Sequence, residues 1–194
     1  MKQWLEAAIE RGAVPVITGQ NGDMDTIGSA IALASIHPSL LACGLHMGRI
    51  AKRLVEDMEA PFRKLTAKGT AFPANLGGII VVDAAAPDQV GIDLPDVPRL
   101  ILDHHATNGW ALNEGDHMMQ WDVRATTEMV ATYMFEHAKG ALTPPVRKML
   151  LAGMITDTGR FKHANTTSFE VTTKLLEGSD IDYAEFCEYI EREN

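Results

Sequence analysis

Asp103-His104-His105 leaves the apolar run at residues 99–102 and sets one carboxylate and two imidazoles at a strand tip. Polar side chains emerging from a buried strand need partners, and a divalent cation satisfies several of them at once. Three more aspartate sites stand at comparable junctions: Asp23 and Asp25 after residues 14–18, Asp83 after 79–82, and Asp157 after 150–156. The expectation is that these points converge on one metal centre.

Each acidic site also has a plain structural reading. Asp23-Met24-Asp25 can place two carboxylates on the same side of an extended loop, or it can cap the helix that starts near Thr26. Asp83 before Ala84-Ala85-Ala86-Pro87 can cap a turn, as can Asp157 in Thr156-Asp157-Thr158-Gly159. The Asp-His-His run is harder to explain that way. Its neighbouring imidazoles point apart, so one can ligate a metal while the other faces substrate, with Asp103 orienting an imidazole from behind.

The elements that must position these residues follow from periodicity. Residues 2–11 read as an amphipathic helix stopped at Gly12, and 14–18 as a first buried strand. A helical pattern starts at Thr26, where Gly28, Ser29 and Ala30 would let backbone approach a ligand, and it ends at His37-Pro38. Residues 40–47 read as a second strand, 49–58 as a helix and 64–75 as loop. Strands follow at 79–82, 99–102 and 118–121. Helices are expected at 126–138, with Thr126 as N-cap, and at 144–155, 168–176 and 183–192. Strands alternating with helices predict an α/β fold: a mostly parallel, five-stranded sheet with helices on both faces in a single domain, residues 1–182, followed by an acidic helical tail, 183–194. Ligands in such sheets gather at the carboxyl ends of strands, and the acidic sites fall there or in the loop after a helix.

Bulk properties narrow the function. The 194-residue chain is long enough for one domain with a real core, and 46% of it is hydrophobic. A net charge of −9 disfavours a general polyanion-binding surface. Cys43 and Cys187 lack metal-ligand spacing and read as reduced thiols. No signal peptide and no membrane-length apolar run is present, so a cytoplasmic protein is expected.

The order D-x-D-x-x-G-S, strand-Asp, D-H-H and T-D-T-G-x-F, with the helix start Ala125-Thr126-Thr127-Glu128, resembles the DHH phosphoesterase superfamily from Val14 to about Asp182. That group includes RecJ-type exonucleases, nanoRNA and pAp phosphatases, exopolyphosphatases and family II inorganic pyrophosphatases. The resemblance implies one or two Mn²⁺ or Mg²⁺ ions. Asp83 would bridge them, Asp23 would bind the first, and Asp25, His104 and Asp157 would complete the second. His105 would contact the scissile phosphate and Asp103 would support the histidine pair. The reaction implied is hydrolysis of a phosphoester or phosphoanhydride in a small phosphorylated substrate, nucleotide or short oligonucleotide.

Two departures qualify this. The family's histidine before D-x-D is replaced here by Gly19-Gln20-Asn21-Gly22, so a single tightly held ion, or a second that arrives with substrate, is expected. The chain reaches Asn194 where the family's linker to a C-terminal substrate-binding domain would begin, so a stand-alone first domain, a homodimer or a covering partner is expected. Basic groups for a phosphate are then sought among Arg124, Arg160, Lys162 and His163, with Arg160 taken as a catalytic candidate. The alternative function is a degenerate domain that binds metal, nucleotide or protein without catalysis.

Overall fold

A computed structural model describes residues 1–192, so the last two residues of the expected acidic tail, 193–194, lie outside the described residues. Six strands form one sheet: β1 (Val14–Thr18), β2 (Leu40–Gly44), β3 (Arg63–Lys64), β4 (Ile79–Val82), β5 (Arg99–Asp103) and β6 (His117–Gln120). All are parallel, in the order β3-β2-β1-β4-β5-β6. Seven α-helices accompany them: α1 (Lys2–Arg11), α2 (Met24–Ala34), α3 (Arg49–Asp57), α4 (Thr126–His137), α5 (Pro144–Asp157), α6 (Thr166–Leu176) and α7 (Tyr183–Glu191).

The sheet has one strand more than the five expected. The addition is β3, a two-residue edge strand paired to Cys43 and Gly44 inside a stretch whose polar sequence reads as loop. It forms because Leu65 N–H donates to Gly44 O, not through any strand propensity of its own.

Strand order explains how the two faces are covered. The chain moves outward through β1, β2 and β3, then returns to the far side of β1 and moves outward again through β4, β5 and β6. Parallel crossovers are right-handed, so reversing direction moves the connections to the opposite face. One face therefore receives the helices: Val14, Val16, Ile80, Val82, Leu100 and Leu102 share a core with buried residues of all seven α-helices. The other face, with Ile17, Val81 and Ile101, is closed by Leu65, Val90 and Trp110 from connecting segments. Among the described residues, the helical cover on that side is a 3₁₀ turn at Pro87–Gln89.

α2 lies at the centre of the helical layer, buried along almost its whole length. It packs backbone-close against α5. A Cβ added at Gly28 would sit 2.6 Å from the Met149 carbonyl oxygen, and one at Gly153 would sit 3.2 Å from Asp25 Cα. The small residues 28–30 thus serve helix packing, a correction to the expectation that they admit a ligand. This contact matters for function because α2 carries Asp25 near its start and α5 carries Asp157 at its end.

Gly28→Ala is expected to destabilise the fold by about 1–3 kcal/mol, since backbone must move to admit the methyl group. Chemical denaturation of the two proteins measures this directly, and a loss below about 0.5 kcal/mol would contradict the packing described.

Candidate metal centre

β1, β4 and β5 are adjacent, and the sheet changes direction between β1 and β4. Crevices at such a switch point, outside the carboxyl ends of strands, are where α/β sheets bind ligands. Each of the three strands delivers a site segment there: residues 19–25 after β1, Asp83 after β4 and residues 103–105 at the end of β5. Thr26 fastens the first two together. Its hydroxyl donates to Val82 O at 3.1 Å and accepts from Gly19 N–H at 2.9 Å.

Of the two readings of the Asp-x-Asp pair, the structure takes the helix cap rather than the extended loop, and the pair straddles a helix start. Asp23 is the N-cap of α2, accepting from Thr26 N–H at 3.0 Å, and its other oxygen accepts from the Asn21 amide at 2.6 Å. Asp25 sits in the first turn and is fully buried. It reaches across to α4, where its oxygens accept from Thr126 N–H at 2.7 Å, Thr127 N–H at 2.8 Å and the Thr127 hydroxyl at 2.6 Å. A carboxylate on one helix thereby caps another, satisfying donors that the first turn of a helix leaves free. Thr126 is accordingly the first residue of α4, not its N-cap, which is Ala125. The roles of Thr126 and Thr127 escape sequence reasoning. The segment reads as a helix start, but nothing local says whose carboxylate it receives.

Asp83 adopts φ 57°, a left-handed backbone that a non-glycine residue enters at a cost. Its N–H donates to Leu102 O at 2.8 Å, which holds the turn against β5. On β5 itself Asp103 is fully buried, and its Oδ1 lies 2.7 Å from His105 Nδ1. Asp103 Oδ2 is buried with no hydrogen-bond partner among the described residues.

Asp157 is the last residue of α5, not a loop residue beyond it. The chain then turns through Gly159, Arg160 and Phe161, all with positive φ (57°, 59° and 64°). Thr158 stabilises this left-handed turn, its hydroxyl accepting from Phe161 N–H at 2.8 Å. The turn carries Arg160 away toward α7, where its Nε lies 2.8 Å from Glu191 Oε1 and its side chain is 71% exposed. Arg160, the candidate for meeting the phosphate, is held in this structure by an exposed ion pair.

What meets at the switch point is a compact donor set around His104. Its Nε2 lies 3.3 Å from Asp157 Oδ2, 3.4 Å from Asp83 Oδ1 and 3.8 Å from Asp25 Oδ2. Two overlapping groups of potential ligands result: Asp25, His104 and Asp157, and Asp83, His104 and His105. Asp23 belongs to neither. Ligands around Mg²⁺ at about 2.1 Å are spaced about 3 Å apart, and the ligand atoms of each group lie within 4.8 Å of one another, so either group is near the spacing a hard cation needs. Oxygen and imidazole donors of this kind suit Mn²⁺ or Mg²⁺.

The electrostatics make the same point. Burial pushes the Asp25 carboxyl well above the usual carboxylate range, and the Asp83 and Asp157 charges add to it. Burial and the Asp83 charge likewise push Asp23 up. For His104 burial alone acts downward, but hydrogen bonds to Asp157 and Asp83 overcome it and push the imidazole up to about 11. Burial thus raises the two carboxyls and the neighbouring carboxylate charges add to it, while the same carboxylates hold the proton on His104. Nearby, Glu128 is buried with Oε2 accepting from the Ser168 hydroxyl at 3.2 Å, and its desolvated carboxyl is also pushed up. It ties α4, which grips Asp25, to α6.

Comparison with known proteins follows the same residues. A family model, the DHH family N-terminal domain, matches residues 13–155. An uncharacterized protein of Methanocaldococcus jannaschii is 24% identical, over 96% of this chain and 57% of its own length. A crystal structure titled as a Methanococcus jannaschii putative family II inorganic pyrophosphatase aligns with TM-score 0.71 at 25% identity, over 91% of this chain and 60% of that one. An exopolyphosphatase-related protein from Bacteroides fragilis aligns with TM-score 0.77 at 15% identity, over 100% of this chain and 59% of that one, a likeness of fold. The chain thus spans somewhat over half the length of the relatives it matches.

Because His104 Nε2 carries a proton up to about pH 11 and a cation must take that position, Mn²⁺ binding should release a proton. Affinity should therefore rise with pH between about 6 and 8, by up to about tenfold per unit. Calorimetry in buffers of different ionisation enthalpy counts the protons. Binding without proton release, or tighter binding at about pH 6 than at about pH 8, would contradict this arrangement.

Proposed function

The chain belongs to the DHH family, and on that premise we propose that it is a metal-dependent phosphohydrolase cleaving a phosphoester or phosphoanhydride bond in a small phosphorylated substrate. The observation that carries this reading is the convergence of Asp25, Asp83 and Asp157 on His104 Nε2 at a sheet switch point. Likeness to a putative family II pyrophosphatase supports the phosphohydrolase class.

In this reading Asp25, Asp83, His104 and Asp157 hold the ion. When bound, a divalent cation neutralises phosphoryl charge and supplies an activated water as nucleophile. The protein's own residues do the rest. Asp25 is fixed before any ligand arrives, because three donors from α4 leave it no rotational freedom. Asp103 requires the proton on His105 Nδ1, which presents Nε2 outward to the substrate. His105 is half-exposed, so that nitrogen can donate to a phosphoryl oxygen once protonated or accept a proton when neutral. Asp23 falls in neither group of potential ligands, which supports one tightly held ion in the free protein.

The test is turnover with Mn²⁺ on p-nitrophenyl phosphate, pAp, short RNA and polyphosphate. Activity on one of these should vanish on chelation and return with Mn²⁺, and Asp83→Ala should remove it. No turnover on any substrate, or turnover indifferent to Asp83→Ala, would favour a binding module without catalysis. Asp103→Asn should lower kcat about 10–100-fold while the ion stays bound, since it disturbs only the orientation of His105. Metal content measured beside kcat separates that outcome from loss of the ion.

A further inference from the structure

Of the four proposed ion ligands, Asp83 alone has a left-handed backbone (φ 57°). A non-glycine residue keeps such a conformation only where its surroundings over-determine it. Here they do so through four backbone atoms. Asp83 N–H donates to Leu102 O at 2.8 Å, and Ala85 N–H donates to Gln89 Oε1 at 2.7 Å. Ala84 O accepts from the Trp110 indole N–H, and Ala85 O accepts from Gly109 N–H, both at 2.8 Å.

Gly109 and Trp110 belong to the connection between β5 and β6, residues 104–116, which begins with His104 and His105. The segment that carries an imidazole ligand thus returns to grip the exit of the strand that carries Asp83. That grip sets two ligands relative to each other: His104 Nε2 lies 3.4 Å from Asp83 Oδ1.

Trp110 is itself held from several sides. Its backbone N–H donates to Asn108 Oδ1 at 2.8 Å. The Arg99 guanidinium lies 5.8 Å from its ring centroid and donates to Ala111 O at 3.2 Å. The ring shares a core with Ile17, Val81 and Ile101 on the sheet face that lacks α-helices. Trp110 is 8% exposed and Ala84 fully buried, so the carbonyl they share is shielded from water. Covering the sheet needs only a large apolar ring, which phenylalanine would also supply. The indole N–H does something else: it fixes the residue next to a strained ligand.

We infer that Trp110 is a positioning residue of the metal centre: its indole N–H, through Ala84 O, holds Asp83 in the left-handed conformation that keeps its carboxylate beside His104. Without that bond a buried carbonyl loses its partner and the turn is free to relax toward ordinary φ, carrying Asp83 away from the ion. This rests on the proposed ion site, and the test below separates failure of the one from failure of the other.

Calorimetry of Mn²⁺ binding compares the parent, Trp110→Phe and Trp4→Phe. Trp110→Phe keeps a ring over the sheet and removes the N–H. Trp4→Phe is the matched control: it removes an indole bond of 2.9 Å to Gly115 O, on the same connection but beside Pro98 at the start of β5. Mn²⁺ affinity should fall about tenfold or more in Trp110→Phe and stay within about twofold of the parent in Trp4→Phe. An affinity within about twofold of the parent in Trp110→Phe overturns the inference and leaves the ion site standing. A parent that binds no Mn²⁺ overturns both. Amide hydrogen exchange in the metal-free proteins gives a readout that needs neither ion nor turnover. The Asp83 and Ala85 N–H groups should exchange at least about tenfold faster in Trp110→Phe, with the β1 amides unchanged. A uniform increase across the sheet would mark Trp110 as packing alone and overturn the inference. In the parent itself, the Trp110 indole N–H resonance should shift on Mg²⁺ binding while that of Trp4 stays in place. A Trp110 indole indifferent to the ion overturns it even if the variant does not fold.

Discussion

Carboxylates do not gather in a buried place unless something compensates their repulsion. Here Asp25, Asp83 and Asp157 approach one imidazole nitrogen within 3.8 Å, with Asp23 close enough to feel the Asp83 and Asp157 charges. At such separations, partly shielded from water, like charges cost several kcal/mol. The fold meets part of that cost with oriented donors: the first turn of α4 for Asp25 and the first turn of α2 for Asp23. The remainder is a standing demand for a cation. A proton on His104 answers part of it, and a divalent ion held by the proposed ligands would answer the rest.

The rest of the architecture reads as a consequence of that demand. A sheet that reverses direction between β1 and β4 places three strand ends side by side with no connection crossing them. The helical layer then supplies the other two pieces, the start of α4 and the end of α5. Both must lie close to α2, and the absence of side chains at Gly28 and Gly153 permits it. Three of the four non-glycine residues with positive φ, Asp83, Arg160 and Phe161, lie within or just beyond the site; the fourth, Glu59, follows α3, while β1, β4 and β5 are regular and buried. A rigid sheet with distorted exits is a common division of labour in binding sites, because the sheet holds what the exits would otherwise relax.

Arg160 and Arg49 show how sequence proximity misleads about cations. Arg160 follows Asp157 closely in the chain, but a left-handed turn swings it onto Glu191. Arg49 is remote from Asp23 in the chain, but a hydrogen bond from Gly48 N–H to Gly22 O brings it to a cavity lined by Asp23 and Asp157. In both cases backbone conformation at glycine-containing turns, not spacing along the chain, decides which charge faces the site. The pairing of Arg99 with Asp116, by contrast, ties the first residue of β5 to the residue before β6.

Sequence alone determined a good deal. Continuous apolar runs such as Ile79–Val82 declare buried parallel strands, because both faces must be covered, and an acid after each run marks the strand exits. The ordered motifs, from the Asp23 pair to Thr156-Asp157-Thr158-Gly159, identified the family before any geometry was known. What they left undetermined was long-range: a sixth strand that exists only through pairing, the unequal cover of the two faces, and Asp25 as cap of α4 across 101 residues. Local propensity and periodicity act over a few residues. The partners of a buried carboxylate are fixed by packing between elements far apart in the chain, and only the tertiary structure could decide them.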